Sequence, residues 1–200
     1  MSKVQSTKPA RSAAEPRAKY LEYRPVLRAD FNQSCGYCDA SDKGVDSICF
    51  HIDHFAPQSK FSALSATYTN LIYACRFCNI RKSNHWVGSD PTSPNDGESG
   101  FVDPCNDEYD EHLERHHSGR IIARSTLGAY MIKRLNLNLL RHELLWRSRR
   151  AQALTDEVDR LIEQHKAKGI ASGADYISLL ERFYSLTKLI RDYELRAVGQ

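Results

Sequence analysis

Cys35-Gly36-Tyr37-Cys38, then His51-Ile52-Asp53-His54 with Pro57 behind it, then Asn70, then Cys75-Arg76-Phe77-Cys78-Asn79 and Lys82: this stretch decides how the chain is read. Two Cys-x-x-Cys turns let two pairs of thiolates converge on one ion at about 2.3 Å, the geometry of a structural zinc site. The 36 residues between Cys38 and Cys75 exceed the interval of a simple zinc ribbon. An insertion is therefore implied, and it carries the His-x-Asp-His motif. A redox Cys-x-x-Cys or plain buried cysteines compete with zinc for one pair alone. Two pairs favour a shared ion.

The residues inside the frame suit a second, catalytic metal site. Hydrolysis of a phosphodiester needs a base for water, a cation for the growing charge on phosphate, and fixed geometry. His54 suits the base. Asp53 offers a hard oxygen to Mg²⁺ or Mn²⁺. Asn79 could add an amide oxygen from the start of a helix, and Lys82, one turn on, could hold a phosphate. Asp53 and His54 are adjacent, so on a regular strand they point to opposite faces. They can share a site only where the strand ends or bends. His51 lies on the face of Asp53, either packed or touching metal or substrate. Read singly, His54 is a packed or surface histidine, Asn70 a turn residue and Asn79 a helix-start hydrogen-bonder. Their order within the cysteine frame is the signal.

These residues resemble the HNH nucleases, also called His-Me finger or ββα-metal nucleases, in their four-cysteine form. The matched positions run from Cys35 to about Trp86, a quarter of the chain. The resemblance implies an α+β fold: a ββα-metal core stapled by a Cys₄ zinc site, with a mostly α-helical C-terminal region. It implies His54 as general base, Asp53 and Asn79 as ligands of the catalytic divalent ion, and Asn70 as the residue steadying the loop that carries the base. Cys35, Cys38, Cys75 and Cys78 would hold the structural Zn²⁺. Asn79 stands where many members have a last His, the HNN form. Cleavage would leave 5′-phosphate and 3′-hydroxyl ends. Phe101-Val102-Asp103-Pro104-Cys105 and Arg134-Leu135-Asn136-Leu137-Asn138 look like stretches of small stand-alone bacterial HNH proteins. Several of those act in anti-phage defence beside an ATPase partner, which here would dock on the helical C-terminal region.

Composition agrees with a globular chain. The 200 residues carry a net charge of +3, which permits a nucleic-acid partner without demanding one. No apolar run approaches the roughly 18–20 residues that span a bilayer, so no membrane role is expected. Residues 1–18, with Lys3, Lys8, Arg11 and Arg17, lack the apolar centre of a secretory signal. They read as a disordered basic arm. A cytoplasmic location keeps thiols reduced and favours metal over disulfides. Of the two remaining cysteines, Cys49 reads as a buried strand residue, and Cys105 lies in a polar turn with its role open.

The rest of the chain divides by pattern. Residues 19–87 form the expected nuclease core: a helix over Lys19–Asp30 bent or reopened at Pro25, strands over Ile48–Phe55 and Asn70–Ala74, and a helix over Arg76–Trp86. Residues 88–100 hold Gly, Ser, Asp, Pro, Thr, Asn and Glu only, a surface loop. Residues 101–200 turn helical: an acidic stretch from Asp107 to Arg115, a short strand at Ile121-Ile122-Ala123, then helices over Thr126–Leu135, Leu139–Lys168 and Ala174–Ala197. Leu140, Leu144, Ala151, Leu154, Val158 and Leu161 suggest one apolar stripe on the long helix. Ile177, Leu180, Tyr184 and Ile190 mark its partner in an antiparallel pair. Arg141, Arg147, Arg149 and Arg150 could track a nucleic-acid backbone or form a solvated or partner-facing surface. His112, His116 and His117 among the acids suggest a further metal site less well than a solvated helix.

The leading expectation is a metal-dependent endonuclease, DNA favoured. The rivals are a non-catalytic zinc module that binds DNA or protein, and an effector subunit switched on by a partner.

Overall fold

The computed structural model describes residues 2–43 and 49–198. The chain divides into two compact units, Met1–Asn138 and Leu139–Gln200. No described helix is long and apolar enough to cross a membrane.

The first unit is built on an antiparallel pair and a short helix. Strand β1 (Phe50–His54) pairs with β2 (Leu71–Cys75), with His51 opposite Ala74, Asp53 opposite Ile72 and His54 opposite Leu71. All five β2 residues, Leu-Ile-Tyr-Ala-Cys, are buried, as their apolar run requires. Helix α2 (Arg76–Lys82) follows β2 directly, so the second cysteine pair straddles the strand-to-helix junction. Helix α2 stops at Ser83, whose φ of 51° turns the chain out of the helix. It is shorter than the expected span to Trp86 for that reason. Helix α1 (Arg24–Asp30) follows a 3₁₀ turn at Tyr20–Tyr23, with Pro25 in its first turn, where the missing N–H costs nothing.

The part of the first unit beyond the polar loop wraps the same core. Helix α3 (Glu108–His112) runs into strand β3 (Leu113–Arg115), which pairs with β4 (Ile121–Ala123). Helix α4 (Thr126–Leu135) is capped by the Ser125 hydroxyl and closed by Asn136 in the left-handed region. Gly128 permits its close approach, since a Cβ there would lie 2.0 Å from the His112 carbonyl oxygen. Arg115 is buried and donates to Gly119 O, Val4 O and Cys38 O. The expected helical region 101–200 is thus split: residues up to Asn138 belong to the same compact unit as the cysteine knuckles.

The N-terminal segment is not a free arm. Val4 is fully buried, Gln5 Nε2 donates to Gly36 O at 2.6 Å, and Ser2 bridges to Arg115. Arg11 donates to Leu71 O and pairs with Asp103 at 3.0 Å. Its apolar Val4 and its hydrogen-bonding side chains find partners that composition alone cannot reveal. Cys49 is also corrected: it is exposed and precedes β1. Ile48, the expected strand start, lies outside the described residues.

The second unit is a pair of long helices, α5 (Leu140–Ala167) and α6 (Ala174–Val198). Arg141 Nη1 donates to Ala197 O and Ser148 donates to Glu194, so the start of α5 meets the end of α6. The buried stripe of α5 is Leu144, Ser148, Ala151, Thr155, Val158 and Ile162. Leu140, Leu154 and Leu161 are exposed instead, as are Ile177, Leu180 and Tyr184 on α6. Small polar residues at close approach displace the leucines: the Thr155 hydroxyl bonds back to Ala151 O and needs no outside partner.

Candidate active site and zinc centre

Two centres sit on the ββα unit. The first is the sulfur cluster. Cys35, Cys38, Cys75 and Cys78 are buried free thiols, and their sulfurs lie within 4.8 Å of one another. Cys38 Sγ and Cys75 Sγ are 3.8 Å apart. A tetrahedron with Zn–S bonds of about 2.3 Å separates its sulfurs by roughly 3.8 Å, so the set fits zinc. Among the described residues this is the one such group of three or more His, Cys, Asp or Glu side chains. The acidic stretch with His112, His116 and His117 forms none. Burial pushes the Cys35 thiol up, and contact with Cys35 pushes Cys78 up while drawing Cys75 down to about 7. Cys35 and Cys78 thus resist ionisation, a cost that a bound divalent ion would offset.

The second centre is a cleft of ≈ 240 Å³ lined by Asp53, His54 and Asn79, with Pro57, Gln58, Ser59, Ser83 and Asn84 among its walls. His54 is the last residue of β1, so the chain turns away as it ends. That resolves the opposition of neighbouring strand faces: Asp53 and His54 both reach the cleft. His54 Nε2 lies 2.9 Å from Ser65 O. A carbonyl only accepts, so Nε2 carries the proton and Nδ1 is left as acceptor. The Tyr20 ring meets the imidazole edge-on at 4.8 Å.

Asn70 fixes the loop that leaves His54. Its Oδ1 accepts from Ala56 N at 2.8 Å, its Nδ2 donates to Ala56 O at 3.0 Å, and its backbone carbonyl accepts from Phe55 N. Asn79 Nδ2 donates to His51 Nδ1 at 3.1 Å, which leaves the amide oxygen for another partner. His51 is half-buried and does not line the cleft. Its ring nitrogen is engaged by Asn79 instead.

Lys82 departs most from expectation. It is fully buried, pairs with Asp53 Oδ2 at 3.3 Å and donates to His54 O at 2.8 Å. It faces inward, toward Asp53 and the His54 backbone, and does not line the cleft. Burial pushes the Asp53 carboxyl up and the Lys82 ammonium down, each opposed by the other's charge. Tyr37, inside the first cysteine turn, donates to the same Asp53 oxygen at 2.6 Å. Sequence reasoning passed over Tyr37 because an aromatic between two cysteines reads as filler.

Basic residues gather around His85, which follows the cleft-lining Asn84 in sequence. His85 stands next to Asn84 and accepts from Arg134, while Lys60 donates to Trp86 O. Burial and then the charges of Arg134, Lys60 and Lys82 hold His85 below its ordinary value. On α5, by contrast, Arg141 bonds to Ala197 O, Arg147 pairs with Glu143 and Arg150 lies over the Trp146 ring.

A carboxylate, an amide oxygen and open space for water suit a hard divalent cation, which keeps several waters and takes few protein ligands. The model of the HNH endonuclease family matches residues 35–85. No curated protein and no solved structure matches the chain. From the first cysteine knuckle to just past α2, with four cysteines gathered at metal-binding distance, residues 35–85 match the HNH endonuclease family in a form that fits a zinc staple.

Proposed function

We propose that the chain is a metal-dependent endonuclease that hydrolyses phosphodiester bonds of nucleic acid, with DNA the favoured substrate. The carrying observation is the His54–Ser65 hydrogen bond, which makes Nδ1 the acceptor of the neutral imidazole on a residue of the Asp53–Asn79 cleft. His54 takes a proton from water at Nδ1, and the water oxygen bonds to phosphorus as the bond to the 3′ oxygen breaks. Lys82 holds the His54 carbonyl and Asn70 holds Ala56, so the base is fixed from both sides. A Mg²⁺ or Mn²⁺ ion held by Asp53 and Asn79 would supply positive charge to the phosphate and the departing oxygen. The cations Lys60 and Arg134 beside the cleft walls support a polyanionic substrate. Zn²⁺ on the four cysteines would be structural, a closed site with no open position.

Incubation of the zinc-loaded protein with labelled duplex DNA and labelled RNA, with Mg²⁺ or Mn²⁺, tests this reading. Internal cleavage of the DNA, abolished by removal of the added ion, is expected. Cleavage of RNA alone would overturn the DNA preference, and cleavage of neither would favour a binding module.

A further inference from the structure

Tetrahedral thiolate zinc needs the cysteine spacing of the first knuckle but not an aromatic inside it. Tyr37 is nevertheless wholly buried there, and both its polar ends are fixed. Its carbonyl accepts from the Tyr109 hydroxyl at 2.6 Å, and the preceding Gly36 N–H donates to Tyr73 O at 2.9 Å. Its own hydroxyl reaches 2.6 Å from Asp53 Oδ2. We infer that Tyr37 is a positioning residue that ties the cysteine knuckle to the ion-binding carboxylate, holding Asp53 Oδ2 so that Oδ1 meets the divalent cation in the cleft. This inference rests on the endonuclease reading of Asp53.

The argument is one of direction. Among the described residues, the side-chain donors that reach Asp53, Tyr37 and Lys82, both fall on Oδ2. A donor on one carboxylate oxygen stops rotation of the group and settles which oxygen remains for an ion. Outer partners of this kind orient ligands and sustain metal affinity. Lys82 arrives from α2 and also serves the His54 carbonyl, so its removal disturbs base and ligand together. Tyr37 touches the ligand alone, and it arrives from the knuckle. The cleft's ion affinity therefore depends on the knuckle through one O–H.

Tyr37→Phe keeps the ring and removes that O–H. Tyr109→Phe removes an equally buried hydroxyl that donates to the same knuckle without touching Asp53, so it serves as the control. Mn²⁺ binding to the zinc-loaded proteins, without nucleic acid, is read by electron paramagnetic resonance of the free ion. Tyr37→Phe should bind Mn²⁺ about 10-fold more weakly, with zinc content unchanged and the Mn²⁺ dependence of nicking displaced equally. Its rate at saturating Mn²⁺ should stay near wild type, and Tyr109→Phe should bind as wild type does. Equal loss in both variants, or loss in neither while Asp53→Asn abolishes binding, overturns the role of Tyr37 alone. Unchanged binding in Asp53→Asn sinks the assignment of the ion to Asp53 and the endonuclease reading with it. If Tyr37→Phe fails to hold zinc, 3-fluorotyrosine at position 37 keeps the hydrogen bond. Its ¹⁹F resonance should move on Mg²⁺ titration while one at position 109 stays; no movement at 37 overturns the inference.

Discussion

The sulfur cluster and the cleft share one β-strand-to-helix junction, yet they are opposite kinds of site. Cys75 and Cys78 flank the start of α2 and turn inward to buried partners. Asn79, one residue further on, is half-exposed and lines an open cleft. Four soft thiolates close a tetrahedron and leave no position for chemistry. One carboxylate and one amide leave most of a hard ion's shell to water and substrate. On the proposed reading, a single helix start serves stability on one side and reaction on the other. The same fold element can hold both because their ligands leave it in different directions.

If that division holds, damage to the two centres should separate cleanly. The largest effect belongs to zinc removal. Structural zinc sites of this type contribute on the order of 10–16 kcal/mol of binding free energy to folding. A strong chelator, or Cys75→Ser, should abolish the cooperative melt of the first unit by circular dichroism. A melt unchanged by chelation would remove the staple from the account.

Next in size is Lys82→Met. Breaking a buried ion pair by removing one partner costs about 3–5 kcal/mol, because the Asp53 carboxylate would be stranded. Urea denaturation should show a loss of that order with zinc still bound. A stable variant with a raised KM for nucleic acid would instead return Lys82 to phosphate binding. Asn70→Ala comes third: it leaves the buried Ala56 amide and carbonyl without their side-chain partners, about 1–3 kcal/mol in stability. Nicking should fall while zinc content stays. The smallest effect is Arg134→Gln, which removes a cation bonded to His85 beside the cleft wall. Its salt dependence of DNA binding should flatten by roughly one unit of slope, at unchanged melting temperature. An unaltered slope would take Arg134 out of the substrate path.

How far the sequence reaches differs between the same regions. The cysteine spacing carries its geometry locally, so the knuckles, β1, β2 and α2 were legible within a few residues. The helix spans Thr126–Leu135 and Ala174–Val198 were legible because caps and periodicity are local too. Three features were not. Lys82 at one turn past Asn79 reads as a surface cation, and only the tertiary placement of Asp53 explains a buried ammonium. Residues 2–18 look like a disordered arm, because hydrogen bonds such as Gln5 to Gly36 join residues far apart in sequence. The stripe on α5 was misassigned at Leu140, Leu154 and Leu161, since leucine at helical spacing outweighs Ser148 and Thr155 in any hydrophobic count. Tyr37 belongs with these: its contact with Asp53 spans 16 positions that sequence pattern cannot connect.

The central claim is that the chemistry rests on His54 in the open centre and not on the sulfur cluster. Nicking of supercoiled plasmid by His54→Ala, at zinc content and melting temperature equal to the parent chain, tests it most directly. Loss of a general base should slow nicking by about 10²–10⁴-fold with Mg²⁺ or Mn²⁺. Nicking by the variant at the parent rate would contradict the account.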